Sequence, residues 1–172
     1  MPFDYQPNLK GELIELRPLR SEDYDALYAV ASDPKVWEQH PANDRYQTDV
    51  FKELFDDALT SGGALVAIDP KTQRIIGSSR FHAYNESRSD VEIGWTYLAT
   101  SYWGGQYNKE MKQLMLKHAF KFVDTVLFLI GPENIRSQRA TKKFGGIHTG
   151  STTNADGSES YVYELKREDF DA

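Results

Sequence analysis

The order of elements along the 172 residues predicts a mixed α/β fold: one central, mostly antiparallel sheet of about seven strands, flanked by helices, in a single domain over 1–172. Three observations predict it. Hydrophobic spacing is helical to about residue 60, alternates over 64–98, and then switches between the two periods. No linker, repeat or low-complexity tract divides the chain, and its length suits one domain. A hydrophobic fraction of 40% with 27% charged residues is that of an ordinary globular core and shell.

Leu13-Ile14-Glu15-Leu16-Arg17 reads as a strand stopped by Pro18. Ser21, followed by Glu22 and Asp23 and then by Leu27, Tyr28 and Val30, predicts a helix with serine as its cap. Asp33-Pro34-Lys35-Val36-Trp37 predicts a second, short helix capped by aspartate with proline at its first position. A third runs from Asp49 to about Leu59 and ends at Gly62-Gly63. Residues 64–68 and 75–84 alternate as strands around a turn at Asp69-Pro70-Lys71-Thr72, and Asn85 to Arg88 form a hairpin loop into a strand over 90–98. Gly104-Gly105 then precedes a helix over 109–123, with Met111, Leu114, Met115 and Phe122 inward and Lys109, Lys112, Gln113, Lys117 and Lys121 outward. Residues 125–130 are a buried strand, and 134–144 are a helix stopped by Gly145-Gly146. Residues 148–153 and 160–166 are a final strand pair about Asn154-Ala155-Asp156-Gly157. This order is not the regular strand–helix alternation of dinucleotide-binding sheets, and no Gly-x-Gly-x-x-Gly follows a first strand.

A net charge of −6 argues against nucleic acid as a partner. The run Val126 to Ile130 is too short to cross a bilayer, and Met1 to Tyr5 lack the blocks of a signal peptide, so a cytoplasmic location without membrane association is expected. Cysteine is absent, which excludes disulfides, thiolate metal sites and a cysteine nucleophile. A homodimer is left open, since no interface signal rises above the aromatic content. The charge is also uneven: between Trp103 and Phe144 eight basic residues face three acids, a local surplus of +5 inside a chain of −6. That surplus is either a solvated lysine-rich face or a site for a polyanion.

The segment Val91-Glu92-Ile93-Gly94-Trp95, then Ser101-Tyr102-Trp103-Gly104-Gly105-Gln106-Tyr107-Asn108-Lys109-Glu110, reads as strand, glycine loop and helix start. Free backbone N–H groups and the positive end of the helix dipole meet there, which suits a phosphate.

These residues resemble the GNAT N-acetyltransferase superfamily, and within it the branch of ribosomal-protein N-terminal acetyltransferases, along nearly the whole chain. Leu16-Arg17-Pro18-Leu19 with Asp23, Asp33 to Trp37, Ile76-Gly77-Ser78, Glu92-Ile93-Gly94-Trp95, Trp103-Gly104 with Tyr107, and Asn134, Ser137 and Lys143-Phe144-Gly145 match in order. The usual Gln/Arg-x-x-Gly-x-Gly/Ala loop is replaced by Trp-Gly-Gly-x-x-Asn-x-Glu-x-Lys, a bacterial variant in which Asn108 is expected to cap the helix. The resemblance implies a sheet splayed at the fourth and fifth strands, and acetyl-coenzyme A as donor with no metal.

It further implies backbone amides of Gly104, Gly105, Gln106, Tyr107, Asn108 and Lys109 on the pyrophosphate, with the strand edge at Tyr97 and Leu98 for the pantetheine arm. Asn134, Arg139 and Lys142 would lie near the coenzyme. Glu92 is the candidate base and Ser137 the candidate donor to the leaving sulfur. The tyrosine many relatives carry on this helix does not occur between Asn134 and Phe144. Glu92 could equally be a strand carboxylate with a structural partner, and Ser137 a capping hydroxyl. Trp37, His40 and His82 are candidates for the acceptor side. Thirteen acids against six bases over residues 1–60 suggest an acidic rim, favouring a cationic amine. The acceptor is a small-molecule amine or a protein N-terminus, reached by direct transfer. The alternative is a non-catalytic module that binds coenzyme A.

Overall fold

Alternation of apolar residues over 64–98 produces the antiparallel meander at the centre of the sheet, and the computed structural model describes it within residues 2–170. The strands are β1 (Leu9–Lys10), β2 (Glu15–Pro18), β3 (Ala64–Asp69), β4 (Arg74–Asn85), β5 (Asp90–Leu98), β6 (Thr125–Ile130), β7 (Ile147–Thr153) and β8 (Glu159–Lys166). The helices are α1 (Tyr24–Ala31), α2 (Thr48–Ser61), α3 (Gln106–Ala119) and α4 (Ile135–Lys143). The eight strands lie in the order β1-β2-β3-β4-β5-β6-β8-β7. All neighbours are antiparallel except β5 and β6. The strand beyond the expected seven is the two-residue β1. Among the described residues, no helix is long and apolar enough to cross a membrane.

Two apolar layers cover the two faces of the sheet. Met111, Met115, Leu116 and Ala119 of α3 lie on Ile76, Phe81, Val91, Ile93, Val126 and Phe128. On the other face Leu27, Phe51 and Phe55 of the first two helices, with Trp37, gather around Val66 and the partly buried Tyr97. Each fully buried side chain of this kind contributes about 1.5–3 kcal/mol. At the outer end, all seven residues of β7 are exposed, and its register to β8 shifts between His148 and Gly150.

Two helix starts differ from expectation. A 3-10 turn over Ser21–Asp23 leads into α1, so the carboxylate of Asp23, not the Ser21 hydroxyl, accepts the Arg20 N–H at 2.8 Å. Asp23 also takes both ends of the Arg17 guanidinium at 2.9 Å each. The second difference is α3, which begins at Gln106 rather than Lys109 because Gly104 and Gly105 turn the chain at φ of 120° and 100°. Only glycine adopts such angles without strain. Gly105 therefore holds the capping position, and Asn108 lies inside the first turn.

Glu110, at the start of the second turn of α3, clamps the β1–β2 connection. Its carboxylate accepts the N–H groups of Glu12, Leu13 and Ile14 at 2.9, 2.7 and 2.8 Å. Gly11 leaves the room, since a Cβ there would lie 2.6 Å from Cδ of Glu110. Two residues on, Lys112 overturns its outward assignment: it is 8% exposed. Its Nζ donates to Thr96 Oγ1, which lies 2.9 Å from Ser79 Oγ. The same Nζ sits 5.8 Å from the centre of the Phe128 ring. Burial brings its pKa down to about 7.

Two outcomes follow. Glu110→Ala removes three charge-assisted bonds and should destabilise by about 2–4 kcal/mol, with Glu110→Gln losing less, in denaturant titrations. Lys112 is neutral in the fold above pH 7 but protonated in the unfolded chain up to about pH 10. Its burial cost is thus complete below pH 7 and is relieved as the pH rises, by at most about 1.4 kcal/mol per pH unit. Lys112→Met should raise the melting temperature most at pH 6, with the difference from the parent shrinking towards pH 10.

Candidate active site

The parallel ladder between β5 and β6 has three pairs, Asp90 with Thr125, Val91 with Val126 and Glu92 with Leu127. β5 continues to Leu98 and β6 to Ile130 without further pairing, so the two strands diverge where the resemblance places the splay. Beyond Glu92 the edge of β5 facing β6 has no strand partner. Its other edge carries a bulge: Ser78 pairs with Tyr97 and Arg80 with Gly94, leaving Trp95 and Thr96 opposite Ser79. Trp95 takes φ of 53°, a strained angle for a bulky residue. Arg80 stacks on its ring at 4.2 Å and His82 meets it edge-on at 5.1 Å. The Lys112–Thr96–Ser79 chain fixes the neighbouring residue.

Two helix N-termini follow the diverging strand ends. At α3 no side chain caps the first turn, so the amides of Gln106, Tyr107 and Asn108 are left as free donors. Lys109 is exposed beside them. Trp103 is fixed from both sides: its indole N–H donates to the Leu98 carbonyl at 2.9 Å, and the Arg136 guanidinium lies 3.9 Å over its ring. Tyr107 packs edge-on against Tyr102 at 4.8 Å. At α4 the cap is Asn134, buried, whose Oδ1 accepts the Ser137 N–H at 3.3 Å. Ser137 is therefore the capped residue rather than the cap, and its half-buried hydroxyl has no protein partner. Arg139 and Lys142 are exposed on α4. Among the described residues, no group of histidines and acids could hold a metal ion.

Glu92 is the last paired residue before the divergence, opposite His82 on β4. Its carboxylate folds back over Gly94, where a Cβ would lie 3.1 Å from Oε2. Among the described residues no hydrogen bond or ion pair satisfies it. Burial raises its pKa to about 7, against an opposing pull from Arg80.

On the far side of β5, Tyr97 is buried against Trp37 with ring centres 4.9 Å apart, and burial raises its phenol. Trp37 is 2% exposed and its indole N–H donates to the Ala31 carbonyl, which makes it a core wall. His40 Nδ1 accepts the Ala42 N–H at 3.0 Å. Burial, and then Arg45 and Arg136, bring His40 down to about 4, so its ring is neutral. His82 is exposed. The structure thus brings Glu92, His82 and Trp95 together at the bulge, with Tyr97, Trp37 and His40 behind them and the two helix starts at the strand ends. Arg80, Arg45, Arg136 and Lys112 also belong to this neighbourhood and are not among the sequence-derived candidates. An arginine inside the apolar run Ile75 to Phe81, and a lysine spaced with Leu116 and Ala119, are the sequence signals for two of them.

Residues 14–147 match the acetyltransferase (GNAT) domain. No curated protein matches the chain. Among solved structures, a GCN5-related N-acetyltransferase from Brucella melitensis is similar at TM-score 0.85 and 18% identity, covering 98% of this chain and 82% of that one. An acetyltransferase of the GNAT family from Bacillus anthracis is similar at 0.77 and 22% identity, covering 94% and 99%. A spermidine N-acetyltransferase from Vibrio cholerae, solved with coenzyme A and spermine, is similar at 0.68 and 14% identity, covering 92% and 98%. The match spans more than half of the chain, on a sheet that divides between β5 and β6: the protein belongs to the GNAT acetyltransferase family.

Proposed function

We propose that this protein transfers the acetyl group of acetyl-coenzyme A directly to a primary amine, on a small molecule or a protein N-terminus, with Glu92 as the base. The observation that carries the reading is the half-buried carboxylate of Glu92, without a bonded partner among the described residues, at the point where β5 leaves β6. The similarity to a spermidine N-acetyltransferase solved with coenzyme A and spermine supports an amine acceptor.

The donor supplies an activated thioester. The first-turn amides of α3 at Gln106, Tyr107 and Asn108, with the Gly104-Gly105 turn before them, are free to hold a pyrophosphate, whereas the expected Lys109 amide is spent on the Gly105 carbonyl at 2.9 Å. Lys109, Arg139 and Lys142 are exposed charges for the outer phosphate. The open edge of β5 towards Tyr97 and Leu98 offers backbone groups to an extended amide-bearing arm. Asn134 organises the start of α4 and thereby places the unpartnered Ser137 hydroxyl, the donor to the leaving sulfur. His82, His40 and Trp37 border the acceptor side. A carboxyl group whose pKa is near 7 is half ionised at neutral pH and takes a proton from an ammonium, directly or through one water.

Since the carboxylate is the active form, kcat/KM should rise with pH through about 7. Glu92→Gln should lower kcat about 100-fold and abolish that acidic limb, with coenzyme A affinity by calorimetry unchanged. A Glu92→Gln profile identical to the parent's would remove Glu92 as base. Ser137→Ala should lower kcat about tenfold without moving KM for the donor, measured by thiol release. Tight coenzyme A binding with no turnover on any amine would instead favour a binding module.

A further inference from the structure

Resting on that reading, we infer that the acceptor amine bears a carboxylate, held by Arg45 and Arg80 beside Glu92. The acids of residues 1–60 would suit a cationic acceptor, but the structure engages several of them away from the cleft. Asp23 pairs with Arg17, Asp56 with Lys52, and Asp33 accepts from the Lys35 N–H and the Thr100 hydroxyl. Asp57 reaches this wall, and it does so by binding Arg80 at 2.9 Å.

The wall itself is cationic. Arg80 is 3% exposed, its partner Asp57 is 67% exposed, and its Nε has no acceptor. Arg45 lies in the connection before α2 with its guanidinium 5.5 Å over the Trp37 ring. Among the described residues, no carboxylate lies within 4.0 Å of it. Its nearest polar side-chain neighbour is His40 Nε2 at 3.4 Å. That imidazole already accepts at Nδ1 from Ala42, so its neutral tautomer carries the proton on Nε2 and offers Arg45 no lone pair.

The two guanidinium groups repel one another, and both act on Tyr97. Arg80 also acts on Glu92. Arg80 is buried and Arg45 half-buried, the exposed Asp57 is bonded to Arg80 alone, and the exposed Asp44 acts on Arg45 only at a distance, so a further carboxylate is the group that these planar guanidinium donors match best. The amine of such an acceptor would face Glu92. A polyamine would instead bring a further cation against Arg45, which the site disfavours.

The test compares L-methionine and L-phenylalanine with their α-amides, an aspartate-initiated and an alanine-initiated peptide amide, and spermidine, in thiol-release assays. The free amino acids distinguish an α-carboxylate from the side-chain carboxylate presented by the aspartate-initiated peptide. The carboxylate-bearing member of each pair should be favoured about 10–100-fold in kcat/KM. Arg45→Gln should erase that preference through KM with kcat and coenzyme A affinity kept, and Arg45→Lys should restore part of it. The N-acetylated amino acids should raise the melting temperature of the parent more than their amides do, and not that of Arg45→Gln. Turnover of spermidine or the amides as fast as the acids would overturn the inference and leave the acetyltransferase reading standing. Absence of coenzyme A binding would overturn that reading, and equal thermal shifts from the acid and amide products would still overturn this one.

Discussion

Three residue pairs join β5 to β6, and the rest of the molecule is arranged around the place where they stop. Unpaired N–H and C=O groups inside a sheet are costly unless something takes them up. Here the opening lies over a closed floor, because Met111, Met115 and Leu116 of α3 seal the apolar layer beneath. Lys112 spans the divergence from below, bonding Thr96 on β5 while lying against Phe128 on β6. The strained bulge at Trp95 then aims the next residues of β5, held between Arg80, His82 and the Thr96 contact.

The same geometry revises how charge is apportioned. The surplus of +5 between Trp103 and Phe144 counts Lys112, which is buried and neutral above pH 7. What remains on the surface near the helix starts is Lys109 with Arg136 and Arg139, while Lys142 is exposed in the last turn of α4. The acidic body proves equally uneven, since several of its carboxylates serve as caps and local ion pairs and leave Arg45 and Arg80 with Asp57 as the one bonded acid among the described residues. Charge totals by segment describe solubility better than they describe a site, because side chains from one segment point in opposite directions.

Most elements were legible because period and punctuation agree: alternation over 64–98, proline at 18 and 34, paired glycines at 62–63, 104–105 and 145–146. Glu92 was legible as a candidate because a carboxylate between apolar neighbours on a central strand is conspicuous. The misplaced basic residues share one cause, which is that polarity was taken as exposure. Lys112 sits four and seven residues before Leu116 and Ala119, on the buried stripe, yet its charge assigned it outward. Arg80 was passed over within a strand, and Arg45 within a connection whose path depends on tertiary packing. Asn108 and Ser21 have capping chemistry, but positive φ at Gly104 and Gly105 and the 3-10 turn at Ser21–Asp23 moved the helix starts past them. Those shifts are set by backbone angles that residue type alone does not fix.

The outer edges of the sheet have a bearing on its interior. On one side β1 is two residues long, and on the other β7 breaks register at His148 and Gly150. Short or bulged margins make poor templates for an added strand. The divergence after Glu92 is thus a better place for a strand-shaped guest than either rim. Such a guest would enter as a wedge between neighbours rather than as a ninth strand, and its own amides would complete a ladder that the polypeptide leaves unfinished.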